Sequence, residues 1–333
     1  MATTTFKILV LPGDHVGPEV MAEALKVLDV IEECRPGVKF ERTFDLAGGC
    51  SIDKHGTPIT EDVLDKASNS DASGLLRLRQ RLDAFANLRP CEVIVPSLID
   101  ASPLKPEILR GTKFIVVREN CGGAYFGDKQ ETPDLASDLW GGGGPAVVWS
   151  ADKANVLASG RLWRRVTSEV FAKEFPDIEL QHQLADSMAM LMVKNPRGFN
   201  GVIHTDNTFG DILSDISGGI VGSLGTLPSA SISGIPGKGK CNGIYEPVHG
   251  SAPDIAGKGI VNPVAQILSL AMMLRYSCLL VEEAAAIEKA VERVFDAKES
   301  GGLGVRTRDM GGQAGTREAG DAICNVVRSL LQG

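Results

Sequence analysis

An α/β architecture, with a sheet flanked by helices, follows from three features of the chain. The first is its opening: Lys7 to Leu11 form an apolar run ending in Pro-Gly-Asp, and Pro18 to Ile31 then carry apolar residues at helical spacing. The second is recurrence. Short β-branched runs return at Glu92 to Val95, Lys113 to Val117, Ala146 to Trp149 and Gly201 to Thr205, with helical patterns such as Leu162 to Glu174 between them. The third is size: 333 residues with 43% hydrophobic content support one large or two intimate domains.

The remaining elements fall in order behind these. Gly141 to Gly144 form the one low-complexity stretch and read as a flexible turn. The final third alternates glycine-rich loops, GIPGKGKCNG and GSAPDIAGKG, with helical patterns at Pro263 to Leu274 and Val281 to Ala297, the second with a charged outer face. Neither the opening turn nor the later glycine-rich loop carries G-x-G-x-x-G, so a Rossmann nucleotide fold is not expected.

Composition narrows the partners. A net charge of −8 gives no cationic face for nucleic acid or an anionic membrane, which leaves small ligands. The longest apolar region, Asn262 to Leu280, is interrupted by Gln266, Arg275 and Tyr276 and reads as a buried helix, not a span. Seven cysteines without a C-x-x-C pair suit a reducing compartment. Met1 passes almost directly into the first strand, which leaves no room for a leader, so a cytoplasmic location is expected.

Several stretches carry chemistry. In NTFGDILSDISGG, Asp211 and Asp215 stand one helical turn apart, where like charges repel by a few tenths of ~1 kcal/mol unless neutralised. Such spacing is more often a solvated face. A hard divalent cation, Mg²⁺ or Mn²⁺, is the alternative that oxygen-only ligands favour. In LLRLRQRLDAFANLRP, Arg77, Arg79 and Arg81 alternate and Arg89 precedes a proline, while Arg118 follows a buried-looking strand. Arginine forks bind carboxylates bidentately, although Arg77 and Arg81 read better as salt-bridged surface residues. Leu75 and Leu76 would set an apolar patch beside any anion bound there.

Tyr125, in GGAYFGD, is placed to donate a proton or to cap a loop, and Lys153, in SADKANVL, to act as a general base or as an ordinary first-turn lysine. Asp186 opens an apolar helix, where N-capping rivals ligand duty. The loop EPVHGSAPDIAGKGIVNP offers backbone N–H groups to an anionic cofactor, and Asp254 within it a carboxylate to ribose hydroxyls.

Taken in order, LPGDHVGPEV, LLRLRQRLDAFANLRP, VRENCGGAYFGD, DKANVL, HQLADSMAM, NTFGDILSD, GSLGTLPSAS and EPVHGSAPDIAGKGIVNP resemble the β-decarboxylating dehydrogenases of the isocitrate/isopropylmalate type over nearly the whole chain. The resemblance implies that family's two-domain fold, a mixed sheet flanked by helices. Residues 1–85 and 225–333 would form the cofactor-binding domain, and 86–224 the dimerisation and metal-binding domain. It implies NAD-dependent oxidative decarboxylation of a 2-hydroxy diacid by a homodimer with shared active sites.

By the same resemblance, Asp211 and Asp215 of one subunit and Asp186 of the other hold Mg²⁺ or Mn²⁺, with Asp211 also facing substrate. Arg79, Arg89 and Arg118 would hold substrate carboxylates, Tyr125 would protonate the carbon left by CO₂, and Lys153, from the partner subunit, would take the hydroxyl proton. NAD would lie against Asn155, Glu246, His249, Gly250, Ser251, Ala252, Pro253, Asp254 and Asn262. Isocitrate-specific relatives place serine and asparagine at the positions of Leu75 and Leu76. Leucines there, with Val156 opposite, favour an isopropyl tail over a third carboxylate, hence 3-isopropylmalate and a place in leucine biosynthesis. Asp254 would repel a 2′-phosphate and favours NAD over NADP. Another 3-alkylmalate, tartrate or malate is the alternative substrate, and a non-catalytic, regulatory homologue the alternative role.

The chain departs from the family in four places. Members carry a strand and a glycine-rich loop ahead of GLLRLR, whereas SNSDASG runs straight through here, and LWGGGGPAVV stands in place of a helix before DKANVL. His15 replaces a glycine of the opening turn, and Ile216 a glutamate after Ser214-Asp215.

Overall fold

The computed structural model describes residues 3–71, 76–120 and 147–333, and it divides the chain into two compact units. Residues 1–84, 94–101 and 223–333 form the first, and residues 85–93 and 102–222 the second. Leu75, Tyr125 and the Gly141 to Gly144 run lie outside the described residues, as does the side chain of Leu76.

In the first unit, β1 (Thr4–Val10) pairs in parallel with β2 (Val38–Phe44), and α1 (Gly17–Cys34) is the crossover between them. Val20, Ala24, Val27, Leu28 and Ile31 recur along α1 at the three- and four-residue spacing of one helical face and are buried. Pro18 sits in its first turn, where no intrahelical N–H is lost. Three short helices follow, α2 (Gly49–His55), α3 (Glu61–Ser68) and α4 (Leu76–Arg81). Later in the unit, β8 (Pro228–Ile232) pairs antiparallel with β9 (Gly243–Pro247), and three helices pack together: α9 (Val264–Tyr276), α10 (Val281–Phe295) and α11 (Thr316–Gln332). The core joins α1 to these helices through Val27, Ile31, Ile267, Leu274, Ile287, Val291 and Ile323.

The SNSDASG junction has a distinct geometry. The Asp71 N–H donates to the Lys7 carbonyl at 2.8 Å, its carboxylate accepts from the Lys7 N–H at 2.9 Å, and its carbonyl accepts from the Gly243 N–H at 3.3 Å. Asp71 therefore bonds the middle of β1 through its N–H and carboxylate and the start of β9 through its carbonyl.

The second unit sets five strands side by side in the order β6–β5–β7–β4–β3. These are β3 (Ala86–Glu92), β4 (Lys113–Glu119), β5 (Val147–Asp152), β6 (Glu179–Leu184) and β7 (Gly201–Thr205). All neighbours are parallel except β3 and β4, so the sheet is mixed. Helices α6 (Ala158–Glu174), α7 (Ala185–Lys194) and α8 (Asn207–Val221) pack against it, and a short α5 (Pro106–Leu109) precedes β4.

Two expected boundaries move. The strand placed at Glu92 to Val95 is instead β3, ending at Glu92, because the buried side chains of Asn87, Leu88 and Arg89 carry the strand through Pro90 rather than bending there. Helix α6 begins at Ala158, not at Lys153: the Asp152 carboxylate captures the Ala154 N–H at 2.8 Å and makes a turn first.

Candidate functional site

A cluster of opposite charges forms where α8 lies on β3 and β4. The antiparallel register sets Asn87 opposite Arg118 and Arg89 opposite Val116, so both arginines share one face of the sheet, beneath α8. Both residues are buried, and buried guanidinium groups need partners. Arg89 donates Nε to Asn87 Oδ1 at 2.8 Å and Nη1 to Ser214 Oγ at 2.7 Å, and that Nη1 lies 3.5 Å from Asp211 and 3.7 Å from Asp215. Arg118 donates Nη1 to Asp211 and Nη2 to Asn207 Oδ1, the latter at 2.7 Å. The repulsion between the two aspartates is thus offset by the arginines, and that between the arginines by the aspartates.

Glycine makes the approach possible. A Cβ on Gly210 would stand 2.7 Å from Arg118 Cβ, so only a bare backbone lets the Arg118 stem pass α8. The Asp211 and Asp215 side chains remain 54% and 65% exposed, which leaves their outer oxygens open to a ligand. Two carboxylates with no histidine or cysteine suit Mg²⁺ or Mn²⁺. Among the described residues no three metal-binding side chains converge.

Elsewhere in the unit, Lys153 Nζ lies 2.6 Å from Asp186 Oδ1. Leu184, not Asp186, occupies the N-cap of α7, and Asp186 stands in its first turn. The hydrogen bond from Lys153 holds the Asp186 carboxyl below its usual range. Asn155 and Val156 follow Lys153 on the same turn and are exposed.

In the first unit, Arg79 at the end of α4 donates Nη2 to Glu246 Oε1 at 2.8 Å. Arg77 and Arg81 pair with Glu61 and Asp65 of α3, as surface arginines. Asp14 of the opening turn accepts from the Gly49 and Cys50 N–H groups at 2.6 and 2.7 Å, at the start of α2. Burial raises the Asp14 carboxyl, but those two N–H groups outweigh it and hold the pKa low. A cavity of about 330 Å³ lies alongside, lined by Ile8, Val10, Asp14, Leu28, His249 and Leu270 among others.

The glycine-rich loop borders that cavity. Ser251 is anchored by its carbonyl, which accepts from the Val16 N–H at 3.1 Å, and Ala252 takes φ +38°, in the left-handed region. His249 Nδ1 pairs with the Gly250 carbonyl at 2.9 Å, while its Nε2 is buried without a partner among the described residues, an orphaned group that a bound cofactor would satisfy. Pro253 and Asp254 open a short 3-10 turn, Pro253–Ile255, with Asp254 exposed. Asn262 is committed to the fold: it caps Val264 at 3.0 Å and donates to Asp309 at 2.9 Å, so its backbone is what remains for a ligand. His15 adopts φ +53° and is exposed, pointing to solvent rather than into the loop.

Asn87, Asn207 and Ser214 were not singled out in the sequence, although each holds a substrate-binding candidate. Their only linear signal was proximity to Arg89 and Asp211.

Comparison with known proteins follows this geometry. The family model described as isocitrate/isopropylmalate dehydrogenase matches residues 7–73, 65–143 and 134–323. The 3-isopropylmalate dehydrogenase of Hapsidospora chrysogena is 62% identical over 376 aligned positions, covering 99% of each chain. That of Neurospora crassa is 50% identical over 371 positions, covering 98% of this chain and 99% of the relative. Because 376 positions exceed the 333 residues here, at least 43 of them hold residues of the Hapsidospora relative alone. Among solved structures, the isocitrate dehydrogenase of Methylococcus capsulatus superposes with a TM-score of 0.79 at 30% identity, covering 97% of this chain and 99% of that one. A β-decarboxylating dehydrogenase of Thermococcus kodakarensis gives 0.72 at 31% identity, covering 97% and 96%.

Proposed function

The chain belongs to the isocitrate/isopropylmalate dehydrogenase family, and on that premise we propose that it oxidises and decarboxylates 3-isopropylmalate with NAD, yielding 4-methyl-2-oxopentanoate and CO₂ in leucine biosynthesis. The observation that carries the reading is the Arg89–Arg118–Asp211–Asp215 cluster, which offers two carboxylate-binding forks beside two exposed cation-binding carboxylates.

Each residue has a role in that reaction. Arg89 and Arg118, already held by Asn87, Ser214 and Asn207, bind the malate carboxylates, and Arg79 of the first unit adds a third fork. Lys153 accepts the proton of the C2 hydroxyl as the C2 hydride leaves, and Tyr125 returns a proton to C3 after CO₂ departs. When bound at Asp211, Asp215 and a second subunit's Asp186, Mg²⁺ or Mn²⁺ supplies Lewis-acid polarisation of the C2 oxygen, and NAD along Asn155 and the Glu246 to Asn262 loop supplies the hydride acceptor. Exposed Asp254 favours a ribose diol over a 2′-phosphate. Leu75, Leu76 and Val156 select the isopropyl tail.

A homodimer completes the site. Lys153 and Asp186 pair with each other in one chain, and no third carboxylate joins Asp211 and Asp215 among the described residues, as expected if each pair serves a different active site. Exposed Met190 and Val193 on α7 and Ile212 on α8, which pack together, supply an apolar surface for a second copy. Residues 1–85 with 225–333 would then carry the cofactor, and 86–224 the dimer contact and the metal. A cytoplasmic location completes the proposal.

The test is NADH absorbance with Mg²⁺ and a panel of 3-isopropylmalate, isocitrate, tartrate and malate. Turnover of 3-isopropylmalate alone, lost in Asp211→Asn with the fold intact, is the expected result. Preference for isocitrate would overturn the substrate argument, and a folded, metal-binding but inactive protein would identify a non-catalytic homologue.

A further inference from the structure

Lys153 lies in a turn, not in a helix, so something other than regular structure must aim its side chain. The surrounding backbone is held by hydrogen bonds on both sides of the Lys153–Ala154 peptide. The Lys153 carbonyl accepts from the Val156 and Leu157 N–H groups at 3.0 and 2.8 Å, and the next N–H, that of Ala154, donates to Asp152 Oδ1 at 2.8 Å. Asp152 itself is only 2% exposed, and a desolvated carboxylate is tolerated only with a counter-charge. Arg164 provides it bidentately, with Nε on Oδ2 at 2.8 Å and Nη2 on Oδ1 at 3.0 Å. His182 Nδ1 stands 4.0 Å from the same carboxylate and is too far to take over.

Arg164 lies one turn along α6 from Gly160, on the same face. A Cβ on Gly160 would meet Lys153 C at 2.7 Å, Ala154 N at 2.8 Å and Lys153 N at 3.0 Å. Helix α6 therefore presses bare backbone onto the Lys153 peptide units while its next turn grips the carboxylate beside them.

We propose that Asp152, Arg164 and Gly160 are positioning residues that fix the backbone of Lys153 and so aim its amine at the substrate hydroxyl. This rests on the reading of Lys153 as proton acceptor. Asp152 is the keystone because its one carboxylate bonds both the helix and the turn. Nothing in the device touches substrate, so its loss acts on the chemical step and not on diacid binding.

The test is steady-state kinetics of the full-length protein with 3-isopropylmalate, NAD and Mg²⁺. Gly160→Ala separates positioning from stability, since alanine is the better helix former yet its methyl must displace the Lys153 backbone. Sub-ångström to 1 Å misplacement of a reacting group costs up to ~10²-fold. Gly160→Ala and Asp152→Ala are each expected to lower kcat at least about tenfold with the KM for diacid unchanged. Asp152→Asn, which keeps an oxygen for the Ala154 N–H, falls between wild type and Asp152→Ala. Folded variants with wild-type kcat, or with KM and kcat moving together, overturn the proposal, and Gly160→Ala decides if Asp152→Ala fails to fold. An inactive wild type refutes the Lys153 reading and this proposal with it, whereas an active wild type with unaltered variants refutes positioning alone.

Discussion

Within one chain the ammonium of Lys153 stands 2.6 Å from the carboxylate of Asp186. The two travel together: one is the expected proton acceptor and the other the expected third metal ligand, and among the described residues no third carboxylate joins Asp211 and Asp215 within the chain. If each pair completes the other subunit's cluster, two inactive variants with lesions on opposite sides must rescue each other. Lys153→Met and Asp211→Asn, each inactive alone, should form mixed dimers with one intact site in two. Random reassortment makes about half the dimers mixed, so roughly a quarter of wild-type turnover is expected on refolding them together. No recovery, with dimers verified by mass, places both pairs in a site within one subunit.

Ser214 gives a second prediction. Its hydroxyl accepts from Arg89 at 2.7 Å and donates to the Asp211 carbonyl at 2.9 Å, tying the guanidinium to α8. A hydrogen bond to a charged group contributes about 1.5–3 kcal/mol. Ser214→Ala should therefore raise the KM for diacid by about 10- to 100-fold while kcat changes little, because the loss falls on substrate anchoring and not on the proton acceptor. An unchanged KM would show that Arg89 is held in place without the Ser214 hydroxyl.

What the sequence disclosed, and what it concealed, has a physical basis in these same residues. Arg89, Arg118, Asp211 and Lys153 were legible because their chemistry stands out against apolar or small neighbours. Asn87, Asn207 and Ser214 were not, since polar residues that act only through a contact distant in sequence leave no periodic trace: Ser214 meets Arg89 across 125 residues. Of the four strands that escaped notice, VKFERTF and ELQHQL mix charged and polar residues into runs with at most one buried residue, which hides the two-residue alternation, while PSASI and GIYEP are too short and too rich in proline, glycine and serine to read as strands. Pro90 hid β3 differently: a proline interrupts the strand pattern, yet the ladder with β4 runs through it.

His204 makes stability depend on pH. It sits in β7 with its ring 4.6 Å from that of Trp163, its Nδ1 buried without a partner among the described residues, and burial pushes its pKa down to about 4. The unfolded chain binds this proton near pH 6.5, so below that value the unfolded state gains a proton that the native state refuses. Stability is thus lost as pH falls from about 6.5 to about 4, by up to about 3 kcal/mol, and no further below. Urea midpoints between pH 4 and 7 should show a slope that His204→Phe removes. Equal slopes in both proteins would assign the acid sensitivity to other groups: His182, whose pKa burial also lowers, and the carboxylates.

The cavity beside β1 supports the last prediction. Asp71 bonds Lys7 of β1 and Gly243 of β9, and a cavity bounded by Ile8, Val10, Leu28, Tyr245 and Leu270 lies beside β1. The family match breaks at the same place, with one segment ending at residue 73 and the next beginning at residue 65. The cavity, about 330 Å³, is partly open, and each Val or Ile side chain buried in it would contribute about 1.5–3 kcal/mol. Inserting an apolar, β-branched strand of about six residues with a glycine-rich return after Asp71 should therefore raise the thermal midpoint by roughly 10 °C or more and increase the urea m-value, as more surface becomes buried. The same insertion placed in the exposed turn after Gly301 is the control and should stabilise nothing. If the Asp71 insertion leaves the midpoint where it was, the cavity does not accept a strand, and the three hydrogen bonds of Asp71 are a local turn.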